Sequence, residues 1–297
     1  MSENQELKRH CPLVPLKGIL ATENIANNYN NVSAFCPDPS DLLIATYPKA
    51  GTTWVQEIVD LLLHSGDSET CKRAPTPIRM PFLENTARIG MPSGLDLLKA
   101  MEPPRVIKTH LPFHLVPKGF WENKCKVIYV ARNAKDNLVS YFYFDQMNLT
   151  HPDPGPWEGY IQKFMHGQLP WGSWYDHVKG YWEEREKRNI LYLFYEDMKE
   201  NPRREMVRIM RYLDLSLSDD VISRIVELTS FKTMKDNPMA NYNFITKPIF
   251  DQSRSTFMRK GEVGDWMNHF TPEQAAEFDE DYEKKMKHVN IPFRTQL

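Results

Sequence analysis

With 297 residues, 41% hydrophobic and 26% charged, the chain has ordinary globular composition, enough for one large α/β domain or two small ones, and this excludes disorder and a coiled coil. Lys and Arg number 37 against 39 Asp and Glu, a formal net charge of −2, so the basic excess of a nucleic-acid or anionic-membrane binder is missing and an anionic ligand needs a local site. The N-terminus lacks an apolar signal core, no apolar run approaches the ~18 residues of a membrane span, and Cys11, Cys36, Cys71 and Cys125 are scattered without metal-ligand spacing, which predicts a cytoplasmic protein with reduced thiols.

In chain order, residues 1–20 read as an N-terminal extension of a single domain covering 1–297, because no repeat, low-complexity tract or Gly/Ser linker divides the chain. Short apolar runs at 42–45, 106–107, 127–131 and 190–194 alternate with longer helical patterns, predicting an α/β fold with a central parallel sheet flanked by helices. A helix is expected over 53–65, with Trp54, Val55, Ile58, Leu61 and Leu62 on one face, a Thr53/Gln56 capping box and Gly66 as its stop. The charge run at 182–188 reads as the solvated end of a helix. Asn201-Pro202 opens another helix, with Val207, Met210 and Leu213 expected to face inward, and Thr271-Pro272 opens one running toward His288. Residues 236–258 are polar and rich in turn formers, which suits a flexible loop over the active site.

The residues just past each apolar run carry more information. The runs end in Tyr47-Pro48-Lys49, Lys108-Thr109-His110, Arg132-Asn133 and Tyr195-Glu196-Asp197. Ligands of open α/β sheets bind outside the carboxyl ends of the strands, so these four clusters are expected along one edge.

The stretch YPKAGTTW at 47–54 joins a strand to a helix through Gly51, an arrangement that aims free backbone N–H groups and a positive dipole end at an anion. Lys49 adds a charge, and Thr52 and Thr53 add hydroxyl donors. The other reading of the same residues is a plain turn with an exposed lysine. In a triphosphate-binding loop the lysine follows the last glycine and a metal is held by an acid after a neighbouring strand; here Lys49 precedes Gly51 and Arg132 stands where that acid is wanted, which counts against a small-molecule or nucleoside kinase without removing it.

YPKAGTTW, RNAKDNLVS at 132–140 and RKGEVGDW at 259–266, in that order, resemble the cytosolic sulfotransferases, which move a sulfuryl group from 3′-phosphoadenosine 5′-phosphosulfate (PAPS) to an acceptor and release 3′-phosphoadenosine 5′-phosphate (PAP). The resemblance runs from about residue 20 to 290. It implies phosphosulfate binding by Lys49, Ala50, Gly51, Thr52, Thr53 and Trp54, and 3′-phosphate binding by Arg132, Ser140, Arg259, Lys260 and Gly261. It implies adenine contacts from Trp54, Tyr195, Thr229 and Phe231, with Phe257 and Met258 nearby. No metal is required in such chemistry.

Four side chains then acquire catalytic roles. His110, with an ordinary imidazole pKa near 6.5, is expected to be neutral at pH 7 and to act as general base. Lys108 would meet the sulfuryl oxygens and Lys49 the oxygen of the leaving phosphate, and the resemblance implies that Ser140 engages Lys49 or the 3′-phosphate. Aromatic clusters near His110 suit an apolar slot for a phenol or alcohol, and the resemblance implies that Phe82, Phe144 and Tyr242 wall it beside Lys108 and His110. Relatives of this kind dimerise through a segment after the last motif, with Lys just past Trp, then Thr-Val and Glu; here Met267, Thr271, Pro272 and Ala276 stand in register and Glu277 is one place late, which argues against that homodimer.

Overall fold

The computed structural model describes residues 11–88 and 91–297. Residues 1–10 of the expected extension lie outside them, whereas the rest of it carries β1 (Leu13–Leu16) and the start of β2 (Ile19–Thr22), an antiparallel pair. The main sheet holds β3 (Leu42–Thr46), β4 (Val106–Thr109), β5 (Lys126–Ala131) and β6 (Ile190–Phe194) in the order β4-β3-β5-β6, all parallel. Leu43 stands level with Ile107 on one side and Val127 on the other.

Both faces of this sheet are covered, which is why its strands read as near-continuous apolar runs. Side chains alternate between the faces. Ile44, Ile128, Val130 and Leu193 pack with Val55, Ile58, Val59 and Leu62 of the Thr52–Leu63 helix. On the other face Leu43, Ala45, Val127 and Tyr129 pack with Tyr141, Phe164, Trp174 and Tyr181.

Local differences from the expected elements have local causes. The first long helix starts at Thr52, with Gly51 as its N-cap in a left-handed conformation (φ 105°), so the Thr53/Gln56 capping box is not formed. Thr52 is drawn back to the strand instead, its hydroxyl 2.7 Å from that of Thr46. In the Pro202–Tyr212 helix the buried face is Glu205, Met206 and Ile209; Val207, Met210 and Leu213 are only half-buried at its flanks. The Pro272–Met286 helix has a capping box between Thr271 and Gln274, and with Thr271 and Pro272 committed to starting it, Met267 before it is 52% exposed.

Asp236 ends the Phe231–Asp236 helix, so the expected loop begins one residue later. That loop lacks helix but is pinned: the Leu149 N–H donates to the Ile249 carbonyl (2.9 Å), the Asp251 N–H to the Met147 carbonyl (2.8 Å), and Gln252 Nε2 to the Tyr242 carbonyl (2.9 Å). The four cysteines are free, and among the described residues no helix is long and apolar enough to cross a membrane.

Candidate active site

The carboxyl ends of β3, β4 and β5 and the residue after β6 open onto one cleft, lined by Lys49, Lys108, His110, Arg132 and Tyr195 among others. It encloses about 1910 Å³ of empty space, part of it open to solvent. The acids after β6 do not reach it. Glu196 is buried and accepts from the Asn133 N–H (2.8 Å), and Asp197 pairs with Arg294 (2.5 Å).

At the β3 end the chain turns through Lys49 (φ 70°) and Gly51 into the helix. A Cβ on Gly51 would lie 2.9 Å from the Tyr195 ring, so the backbone approaches that ring as only glycine allows. Gly51, Thr52, Thr53 and Trp54 line the cleft, and Trp54 packs edge-on against Tyr195 at 5.5 Å. Ala50 is fully buried in the turn and does not line it.

Arg132 crosses above Tyr195, 4.3 Å from the ring centroid, and donates from Nη2 to the Glu262 carbonyl (2.9 Å). Asp265 holds Arg259 (2.5 Å) and Lys260 (2.6 Å) in place. Burial works to raise the pKa of Asp265, but hydrogen bonds from Lys260, Asn268 and Arg259 hold it well below the usual carboxylate range. Asp136 in turn accepts from the Gly264 (2.8 Å) and Trp266 (2.9 Å) N–H groups, tying this turn to the helix after β5. Three donors in the region, Arg132 Nε, Arg259 Nε and Trp54 Nε1, are buried without a partner among the described residues. Gly261 sits against Phe231, where a Cβ would come within 2.2 Å of the ring. Ser140, Thr229, Phe231, Met258, Arg259, Lys260 and Gly261 all line this end.

His110 stands at the centre. Its Nδ1 lies 2.9 Å from the Thr46 carbonyl, which can only accept, so Nδ1 carries the proton and Nε2 keeps its lone pair. Burial, with help from the charges of Lys108, His177 and Lys49, lowers its pKa well below 6.5 and keeps the ring neutral. The buried carboxylate of Glu84 accepts from the His110 N–H (2.6 Å), the Thr109 hydroxyl (2.9 Å) and Trp171 Nε1 (3.2 Å); burial pushes its pKa up to about 7. From below, His177 Nε2 donates to the His110 carbonyl (3.0 Å).

Two amines flank this imidazole. Burial lowers Lys49 to about 7, and repulsion from Lys108, Arg132 and Arg259 adds to it against the pull of Asp145; its Nζ lies 4.5 Å from the Phe144 ring and 4.3 Å from the Phe257 ring. Burial lowers Lys108 to about 8, opposed by Glu84, with its Nζ 4.2 Å from the Phe82 ring. Phe82 meets the His110 ring edge-on at 4.9 Å, and Tyr242 stacks on Phe257 at 4.0 Å. Of the other large side chains near these in sequence, Met80 and Tyr141 are buried in the interior and Phe142 packs on Trp157 and Tyr160, away from the cleft.

Every residue expected to bind or react thus lines the cleft, Ala50 excepted. Trp171, His151 and Arg88 also line it and were not expected there, nor was Glu84 expected on the His110 N–H, outside the cleft wall. Glu84 sits in the turn that follows the isolated Phe82–Lys108 bridge, where no strand period marks it. Trp171 and His151 arrive on connections far away in sequence and left no local signal. No Asp or Glu lines the cleft among the described residues, so the metal-holding acid of a triphosphate enzyme is not found in its wall.

Residues 39–290 match the family model described as Sulfotransferase domain. The chain belongs to the sulfotransferase family. It is 48% identical over all 297 residues to human Sulfotransferase 1C2, covering 100% of both chains, and 50% identical over 272 residues to canine Sulfotransferase 1B1, covering 92% of each. Rat Sulfotransferase 1 family member D1 is 50% identical over 285 residues, with 96% of each chain covered. Among solved structures, the mouse sulfotransferase SULT7A1 complexed with PAP superposes with a TM-score of 0.74 at 27% identity, covering 94% of this chain and 96% of that one. Retinol dehydratase in complex with androsterone and PAP shares the fold, with a TM-score of 0.86 at 24% identity over 95% of this chain and 92% of that chain. This sulfotransferase therefore carries the family's α/β sheet with its strand ends gathered around His110, Lys108 and Lys49.

Proposed function

We propose that this sulfotransferase transfers the sulfuryl group of PAPS to the hydroxyl of a small, largely apolar phenol, with His110 as the general base. The observation that carries the reading is the tautomer of His110: its Nδ1–H is spent on Thr46, so Nε2 is free to accept a proton in a cleft flanked by two lysines and lined by no carboxylate among the described residues.

The residues fit a doubly anionic nucleotide. Among the described residues Arg132 Nε and Arg259 Nε are buried donors without partners, and the helix after the left-handed Gly51 starts without a side-chain cap at the cleft wall. Arg132, Ser140, Arg259, Lys260 and Gly261 would hold the 3′-phosphate; the turn from Lys49 to Trp54 would hold the 5′ end, Ala50 shaping it with its own N–H given to the Tyr47 carbonyl (3.3 Å). Tyr195, Trp54, Thr229 and Phe231 would take the base, with Phe257 and Met258 beside it. PAPS supplies the activated sulfuryl group.

His110 Nε2 takes the acceptor proton as the acceptor oxygen closes on sulfur and the bond from sulfur to the phosphate oxygen breaks. Lys108 neutralises the sulfuryl oxygens, and Lys49 the phosphate oxygen that leaves. Preorganised charge of this kind is commonly a large catalytic contribution, ~2.7–4 kcal/mol for one donor. Phe82, Phe144 and Tyr242 hold the ring of the acceptor. The reaction belongs in the cytoplasm, where Cys11, Cys36, Cys71 and Cys125 stay reduced.

The test is incubation of the purified protein with PAPS and a panel of phenols and alcohols, with sulfated product followed by mass spectrometry. Sulfation of a simple phenol is the expected result. No product with any hydroxyl acceptor, or phosphorylated product when ATP and magnesium replace PAPS, would overturn the reading.

A further inference from the structure

The donor accounts for the cations at one end of the cleft, Lys49, Arg132, Arg259 and Lys260, but not for Arg88. This residue lines the cleft from the wall beyond Phe82, in the company of Asn85, Met91 and Leu97. Its backbone is fixed by a reciprocal pair of hydrogen bonds with Met91, both 2.9 Å. Its guanidinium donates from Nη1 to the Thr150 hydroxyl (3.2 Å), which in turn donates to Asn148 Oδ1 (2.8 Å). Among the described residues no carboxylate pairs with it, and only one of its five N–H donors meets a protein acceptor. Burial lowers its pKa, as expected of a cation in a poor environment, and arginine stays charged regardless.

The acid near the end of the helix that leads to Thr150 is already spent. Asp145 accepts from the Tyr160 hydroxyl (2.7 Å) and pairs with His151 (2.9 Å), and it does not line the cleft. With no Asp or Glu in the wall among the described residues, an ammonium group on the acceptor meets no counter-charge, while an anion meets a rigid fork of donors.

Building on the sulfuryl-transfer reading, we infer that the preferred acceptors are phenols bearing a carboxylate at the end remote from the hydroxyl, and that Arg88 with Thr150 receives this carboxylate. The hydroxyl sits at His110 while the carboxylate takes the unused N–H donors of Arg88, in the bidentate geometry a guanidinium favours. Phenols carrying an amine are repelled by the same residue.

The experiment compares kcat/KM for 4-hydroxybenzoate, 4-hydroxyphenylacetate and 3-(4-hydroxyphenyl)propanoate with that for 4-ethylphenol and tyramine, in the natural protein and in Arg88→Gln and Arg88→Lys. At least one carboxylate in the series is expected to exceed tyramine, with the difference carried by KM. In Arg88→Gln the ratio of that carboxylate to 4-ethylphenol falls about ten- to a hundred-fold, the range of a charge-assisted hydrogen-bonded contact, and Arg88→Lys retains part of it. Thermal stabilisation by PAP reports folding; should Arg88→Gln fail it, Arg88→Lys carries the comparison alone. If 4-ethylphenol is sulfated but every carboxylate ratio is the same with and without Arg88, the inference is overturned and the sulfuryl-transfer reading stands. If nothing is sulfated, both fall.

Discussion

The weight of the mechanism rests on single side chains whose surroundings fix their protonation. His110→Ala is expected to lower kcat by ~10²–10⁴ while PAP still binds, because proton transfer is lost and the anion-binding groups remain; PAP-bound protein with near-normal turnover would remove His110 as the base. The lysines predict a pH dependence of binding. In the free cleft Lys49 sits at about 7 and Lys108 at about 8, chiefly through burial, and an anionic ligand raises both. The bound state then holds more protons than the free state, so affinity for PAP declines as pH rises above 7, by up to about tenfold per pH unit for each lysine that must be recharged. Calorimetry at pH 8.5 in two buffers of different ionisation enthalpy should show proton uptake; none would mean that the amines are already charged in the free cleft. His110, Lys49 and Lys108 were legible in the sequence because each comes after an apolar run that had to be a strand, which fixes its edge of the sheet. Glu84 was not. A lone glutamate between Leu83 and Asn85 carries no mark of the three donors that reach it only after the chain has folded.

Among elements, the turns are held to tighter tolerances than the helices they join. Gly261 has φ 68°, and a Cβ there would sit 2.2 Å from Phe231, so Gly261→Ala must both strain the backbone and move the ring. A stability loss of ~1–3 kcal/mol and at least tenfold weaker PAP binding are expected. Gly18 separates the two causes, since its φ is 95° but nothing lies within 4 Å of the Cβ position. Gly18→Ala should cost only the conformational part, ~1 kcal/mol, and leave PAP binding alone; equal effects from the two substitutions, measured by denaturant unfolding and titration, would show that the Phe231 contact has no consequence. The same turns explain where periodicity misleads. Thr53 and Gln56 have the spacing of a capping box, but Gly51 has already turned the chain and Thr52 is held by Thr46, so the helix starts before the box can form. In the Pro202–Tyr212 helix, Val207, Met210 and Leu213 have the right period, yet Glu205 is buried, and the face is rotated toward it, Met206 and Ile209.

For the molecule as a whole, the apolar runs revealed the four parallel strands because a sheet covered on both faces leaves no polar alternation, whereas the order β4-β3-β5-β6 depends on crossovers that leave no trace in any one segment. Hidden just as well was the buried ionic cluster that braces the donor-site helix. Arg79 is 4% exposed and pairs with both Glu57 and Asp60 of the Thr52–Leu63 helix, while Thr76, one turn earlier, donates its hydroxyl toward Glu57 (2.7 Å) and its N–H to the Met239 carbonyl (2.9 Å) in the loop over the site. Thr76 therefore ties the helix that follows Gly51 to the segment that carries Tyr242, and Arg79 holds the two carboxylates of that helix beside it. Burial alone would raise the pKa of Glu57, and Arg79 and Thr76 are what oppose this. Arg79→Met leaves two carboxylates buried with too few donors, Arg73 reaching only Asp60 (2.9 Å), and breaking a buried pair from one side costs ~3–5 kcal/mol. Denaturant unfolding at pH 7 should register that loss. Because protonating Glu57 relieves part of it, the deficit relative to the natural protein should shrink as pH falls toward 5, provided both are still folded. A loss below about 1 kcal/mol, or a deficit that does not change with pH, would mean the cluster is hydrated in solution and braces nothing.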